Sequence, residues 1–176
     1  MTGLCFLGIA IGLFLATPLV FVVGGIAKRA RIKNNTDYLP PEFRLWFGMF
    51  GAPAIPISMF WMGWTSDSNI SIWSPLAASV LFGYGILCVF ISSYQYIIDS
   101  YEIYAASALA SVTLIRYVAA GGMTVVGIPF YENMGVHYTL TILGSISALM
   151  VPVPYCFYIW GSKLRARSKY APSAEK

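Results

Sequence analysis

The chain has 176 residues, 58% of them hydrophobic and only 10% charged, with a mean hydropathy of +0.70 and a formal net charge of +4. Soluble domains carry about 25% charged residues because their surface must face water, so this composition excludes an ordinary soluble domain and points to a surface that faces lipid. The apolar residues come in runs too long for core helices or strands and lack sustained polar alternation.

A hydrocarbon core ~30 Å thick needs about 20 apolar residues of helix. Five runs meet that length: residues 3–26, 45–65, 72–98, 103–130 and 136–161. The predicted fold class is therefore an all-α integral membrane protein of about five spans. The first run has no positive flank before it and is too long for the apolar core of a signal peptide, so it reads as a span. The second, third and fifth runs carry no charge, and the fourth carries Arg116 alone. Short connections with turn residues are expected at Asn34-Asn35-Thr36-Asp37 with Pro40-Pro41, at Ser66-Asp67-Ser68-Asn69, at Asp99-Ser100 and at Glu132-Asn133.

Lysine and arginine accumulate in cytoplasmic loops. Lys28, Arg29, Arg31, Lys33 and Arg44 lie between spans one and two, and Lys163, Arg165, Arg167, Lys169 and Lys176 follow span five. Four spans separate the two clusters, so both fall on the cytoplasmic side, while the outer loops hold only Asp67 and Glu132. The same parity puts the N-terminus outside with no leader to carry it there, so an upstream part of the protein is expected to be missing. Residues 1–161 then form a partial transmembrane half-domain and 162–176 a basic cytoplasmic tail. The triplet Asn69-Ile70-Ser71 lies on the outer side in a loop too short for efficient glycosylation, and Asn34-Asn35-Thr36 lies in the cytoplasm.

Cys5, Cys88 and Cys156 each sit in an apolar run with no metal-ligand or redox spacing, and read as small apolar residues. The single His137 excludes a multi-histidine metal centre and reads as an exposed loop residue. No nucleophile with a paired base appears, so neither an enzyme nor a cofactor is expected. The net positive charge follows from the loops, and no basic patch with base-stacking aromatics points to nucleic acid. Trp46, Trp61, Trp64, Trp73 and Trp160 fall where headgroup belts anchor spans.

Arg116, at the midpoint of span four, carries the strongest functional signal, because a central arginine costs at least about 2.5–3.5 kcal/mol on insertion scales. It must face protein or a water-filled cavity. Asp99 lies about 25 Å away along a straight helix at ~1.5 Å per residue, so the two cannot pair. Tyr84, between Gly83 and Gly85 at the centre of span three, is the partner expected at matching depth, by hydrogen bond or stacking. Thr113 lies one turn before Arg116, and Ala119 and Ala120 one turn after, giving a small, partly polar face. Gly8-x-x-x-Gly12, Pro18, Pro53 with Pro56, Gly121-Gly122, Gly127, Pro129, and Pro152 with Pro154 supply close-packing or kinking positions.

An ordered series of segments resembles the C-terminal part of fungal twelve-span drug:proton antiporters of the major facilitator superfamily, the group with polyamine and multidrug exporters. It runs through Gly3-Leu4 to Gly12, Pro41-Glu42-Phe43-Arg44-Leu45, Phe60-Trp61-Met62-Gly63-Trp64-Thr65 and Phe82-Gly83-Tyr84-Gly85. It continues through Tyr94-Gln95-Tyr96-Ile97-Ile98-Asp99-Ser100-Tyr101, Tyr104-Ala105-Ala106-Ser107-Ala108 with Arg116, Met134-Gly135, Pro152-Val153-Pro154 and the tail Gly161-Ser162-Lys163-Leu164-Arg165 to Pro172. The resemblance implies that the five spans correspond to helices eight to twelve of a twelve-helix transporter that works by alternating access, with spans one, three and four lining the cavity. It implies a substrate pathway at Tyr84, Thr113 and Arg116, and a cytoplasmic gate at Tyr94, Gln95, Asp99 and Tyr101, with Asp99 as its acid. Gln95 stands where asparagine would be expected, and helices one to seven are absent.

The expected function is proton-coupled export of small organic or cationic compounds, as part of an antiporter of the plasma membrane whose C-terminus is cytoplasmic. The expected partners are the lipid bilayer, the small-molecule substrate, protons and the missing N-terminal half. The rival reading is a truncated, non-transporting membrane fragment or a membrane interaction protein.

Overall fold

A computed structural model describes residues 6–18, 22, 25, 44–66 and 71–166. Lys28, Arg29, Arg31, Lys33, Asn34, Asp67, Asn69 and the tail from Arg167 onward lie outside the described residues, so the expectations placed on them carry no structural account. Among the described residues all regular structure is helical and no strand occurs. In chain order the helices are α1 (Phe6–Pro18), α2 (Leu45–Gly51), α3 (Ala54–Trp64), α4 (Trp73–Tyr101), a 3₁₀ turn at Glu102–Tyr104, α5 (Ala105–Met150) and α6 (Pro152–Ala166).

α2 and α3 form one apolar unit, Leu45–Trp64, broken where Pro53 cannot donate a backbone hydrogen bond. The carbonyl that Pro53 leaves without its intrahelical donor is that of Met49. The phenol of Tyr155, on α6, donates to it at 3.0 Å. α4 has 29 residues, about 43 Å at ~1.5 Å per residue, so it outreaches a ~30 Å hydrocarbon core.

Two expected turns fall elsewhere. The chain does not turn at Asp99-Ser100: α4 runs on to Tyr101, and the turn sits at Glu102, where φ is 39°. Nor does it turn at Glu132-Asn133, because the helix continues to the break at Gly135, with φ 74° and ψ 168°. Polar residues at a span's end are still good helix residues once water can solvate them, whereas the backbone at Gly135 needs a residue without Cβ. The hydroxyl of Thr139 spans this kink, donating to the carbonyls of Gly135 at 2.8 Å and Phe130 at 3.2 Å. A second break at Val151 precedes Pro152 and Pro154, so the fifth apolar run is two helical pieces.

The packing is built on small side chains. The buried residues of α4 are Ala78, Ser79, Gly83, Gly85, Cys88, Ser92 and Ser100. Gly48 faces Ser92, Gly51 faces Cys88, and Gly85 faces Ala54 and Ile55, one antiparallel register of α2–α3 on α4. α1 crosses α4 where Gly12 meets the backbone of Val80 and Gly83 meets that of Ile9. The stretch 136–150 and α6 run antiparallel to α2–α3: Gly63 faces Leu140, Gly144 faces Phe60, and Tyr155 reaches Met49. Residues 105–134 run antiparallel to α4, so Gly135 turns the chain back on itself.

Large apolar side chains lie outside: Phe14 is 78% exposed, Trp73 77% and Ile103 84%. Burial of small residues with exposure of large apolar ones inverts the soluble pattern and follows from lipid as solvent, where close backbone approach holds helices together.

Candidate functional site

Two clusters of polar and aromatic side chains stand out, both on α4. At its C-terminal end Gln95 and Asp99 are four residues apart and share the face toward α2. Arg44, just before α2, donates from Nε to Asp99 Oδ2 at 2.7 Å and from Nη1 to Gln95 Oε1 at 3.3 Å. Ser92, one turn deeper, donates to the carbonyl oxygen of Arg44 at 2.9 Å. The start of α2 is thus tied to α4 by a charged fork and a backbone contact. The two charged side chains are about one-third exposed, 36% for Arg44 and 30% for Asp99. Their attraction is therefore screened and is worth on the order of 1 kcal/mol.

The second cluster lies where α4 faces α5. The phenol of Tyr94 and the hydroxyl of Thr113 are hydrogen-bonded at 3.0 Å. The ring of Tyr94 stacks on Phe90 with centroids 4.2 Å apart. The Arg116 guanidinium lies 4.8 Å from the Phe90 ring, 5.3 Å from that of Tyr117 and 5.9 Å from that of Tyr94. Arg116 itself is exposed.

The structure corrects the expected pairing of Arg116 with Tyr84. Thr113 level with Tyr94 puts Arg116 beside Phe90, and Tyr84 is six residues further along α4, about 9 Å at ~1.5 Å per residue. Tyr84 packs instead against the buried cluster of Ala16, Phe47 and Cys88. Equating the midpoints of two runs failed because α4 extends further at one end than its apolar run does.

The four gate residues divide between faces. Gln95 and Asp99 meet Arg44, and Tyr94 meets Thr113. Tyr101 lines a cavity of about 450 Å³ with Leu45, Ser93, Tyr96, Val153 and Phe157, and shares an adjoining one of about 390 Å³ with Tyr104 and Ser107. His137 is not an exposed loop residue. It is half-buried within α5, its Nδ1 donates to the Gly63 carbonyl at 3.0 Å, and its ring meets Trp64 edge-on at 4.5 Å.

Sequence reasoning missed Arg44, Phe90 and Tyr155. Arg44 was legible: it opens one run, Asp99 closes the next, and antiparallel neighbours bring those two ends level. Phe90 carried no such mark among the aromatics of its span.

Long apolar helices joined through small residues are consistent with a helical membrane protein. The comparisons agree. The chain is 55% identical over 173 residues to the MFS-type transporter kojT of Aspergillus oryzae, covering 97% of this chain and 31% of that protein. It is 46% identical over 175 residues to an uncharacterized transporter of Schizosaccharomyces pombe, covering 96% and 32%. It is 36% identical over 173 residues to the MFS-type efflux pump MFS2 of Trichophyton rubrum, covering 98% and 29%. No family model and no solved structure matches the chain. The chain spans about a third of the length of these relatives, and over that third it is similar to proteins named as MFS-type transporters.

Proposed function

We propose that this chain forms the C-terminal part of a proton-coupled antiporter that exports small organic compounds across the plasma membrane by alternating access. The observation that carries the reading is identity along nearly the whole chain to proteins named as transporters and an efflux pump. In this reading the five apolar runs are helices eight to twelve of twelve, residues 1–161 are most of one half, and the basic tail 162–176 is cytoplasmic. Arg116 and Thr113 line the substrate pathway, and Tyr84 is assigned to a deeper level of it by the resemblance.

Arg44, Gln95 and Asp99 form the cytoplasmic gate latch, and the resemblance assigns Tyr94, on the face toward α5, and Tyr101 to the same gate. An ion pair worth on the order of 1 kcal/mol suits a latch, because it biases an equilibrium between two arrangements without locking it. Opening exposes both charges to water at little cost.

The test is transport in proteoliposomes by a full-length transporter carrying this chain. An imposed proton gradient should drive accumulation of an organic substrate, and collapse of the gradient should stop it. Accumulation that is indifferent to the gradient overturns the proton coupling.

A further inference from the structure

Arg116 is the one charge inside the apolar runs, and among the described residues no carboxylate pairs with it. Asp99 is taken by Arg44. Glu132 is 16 residues away on the same helix, about 24 Å at ~1.5 Å per residue. Glu102 is exposed at the turn. Ring faces hold the guanidinium, yet among the described residues it donates no hydrogen bond. Within the described residues its planar fork of N–H donors is unmet.

We infer that Arg116, with the Phe90 and Tyr117 rings, is an anion subsite that takes small planar organic acids in their deprotonated form, carboxylates or enolates. This rests on the transporter reading above and narrows its substrate class. The fork fits a carboxylate or a vicinal pair of oxygens by two parallel hydrogen bonds, and the rings present faces to a flat ligand. One turn on, Ala119 and Ala120 leave that face of α5 low. A flat molecule can lie against the helix there.

The competing occupants fit worse. A cationic compound would meet like charge, with no carboxylate near Arg116 among the described residues. Hydrocarbon cannot be the neighbour of an exposed guanidinium, at a cost of at least about 2.5–3.5 kcal/mol.

The experiment is equilibrium binding of radiolabelled benzoate to the purified full-length transporter carrying this chain, with benzamide and benzylamine as neutral and cationic competitors of the same shape. Benzoate should compete about tenfold or more better than either, the scale of one charged hydrogen bond. Arg116→Ala should weaken benzoate about tenfold or more. Arg116→Gln, which keeps an N–H donor without charge, should abolish the preference for benzoate over benzamide while the protein stays monodisperse. Benzoate affinity unchanged within about twofold in both variants, equal competition by benzylamine, or no benzoate binding overturns the subsite. Proteoliposomes that carry benzylamine but not benzoate overturn the subsite and leave the transporter reading intact. Proteoliposomes that carry nothing under a proton gradient overturn both.

Discussion

Arg116 meets lipid, protein or water according to what stands opposite α5, and only the last two are affordable. If its task lies in the pathway, Arg116→Ala in a full-length transporter carrying this chain should abolish transport while most of the protein stays in the membrane. Arg116→Lys should keep little activity, because an ammonium offers a point charge where the guanidinium offers a fork. Transport per monodisperse molecule is the measurement, and a normal value for Arg116→Ala would make the residue scaffolding. Phe90→Ala removes the closest ring face and should weaken the same activity by less, in line with about 0.5–2 kcal/mol for a cation–π contact. At the residue scale the sequence marked Arg116 by charge and Thr113 by its place one turn away. It could not mark Phe90, because the register between two antiparallel helices depends on where the turn at Glu102 closes.

At the scale of elements, the helices approach through glycines, and two of these make opposite predictions. A Cβ on Gly51 would overlap Cys88, whereas one on Gly121 meets nothing within 4 Å. Gly51→Leu should destabilise the bundle in detergent by about 1–3 kcal/mol, the usual cost of overpacking, and Gly121→Leu should leave thermal unfolding near the parent value. If Gly121→Leu nonetheless blocks transport, its face belongs to the pathway. The latch gives a second test. Single and double replacement of Arg44 and Asp99 by alanine should yield a coupling energy of about 1 kcal/mol, and no coupling would detach the ion pair from the helix contact. The helices themselves were readable from apolar run length. Their ends were less so: Asp99-Ser100 and Glu132-Asn133 look like turns to anyone counting polar residues, but helix continues through both, and among the described residues positive φ falls at Glu102 and Gly135.

For the whole molecule, the bundle has one well-packed side and one sparsely packed helix. Residues 105–134 touch α4 near Tyr94 and Thr113, yet Leu114, Ile115, Tyr117 and Val118 are each about two-thirds exposed. Cavity faces cannot alternate without a second half opposite them, so this polypeptide alone in vesicles should show no proton-driven flux; measurable flux would refute that. The orientation is checked with single cysteines in the full-length protein. Positions Lys33 and Lys169 should resist membrane-impermeant reagents applied to intact cells, and position Glu132 should react.

The tie from Tyr155 to the Met49 carbonyl also has a meaning in time. The two residues are separated by 106 positions, and a ribosome adding ~5–20 residues per second needs roughly 5–20 s to cover them. Throughout that interval the break at Pro53 sits in the bilayer with one carbonyl unmet. The α2–α3 unit is therefore made early but its break is closed late, by a residue 106 positions further on. Nascent chains arrested before residue 155 should accordingly remain more open to protease in the α2–α3 segment than chains released after it.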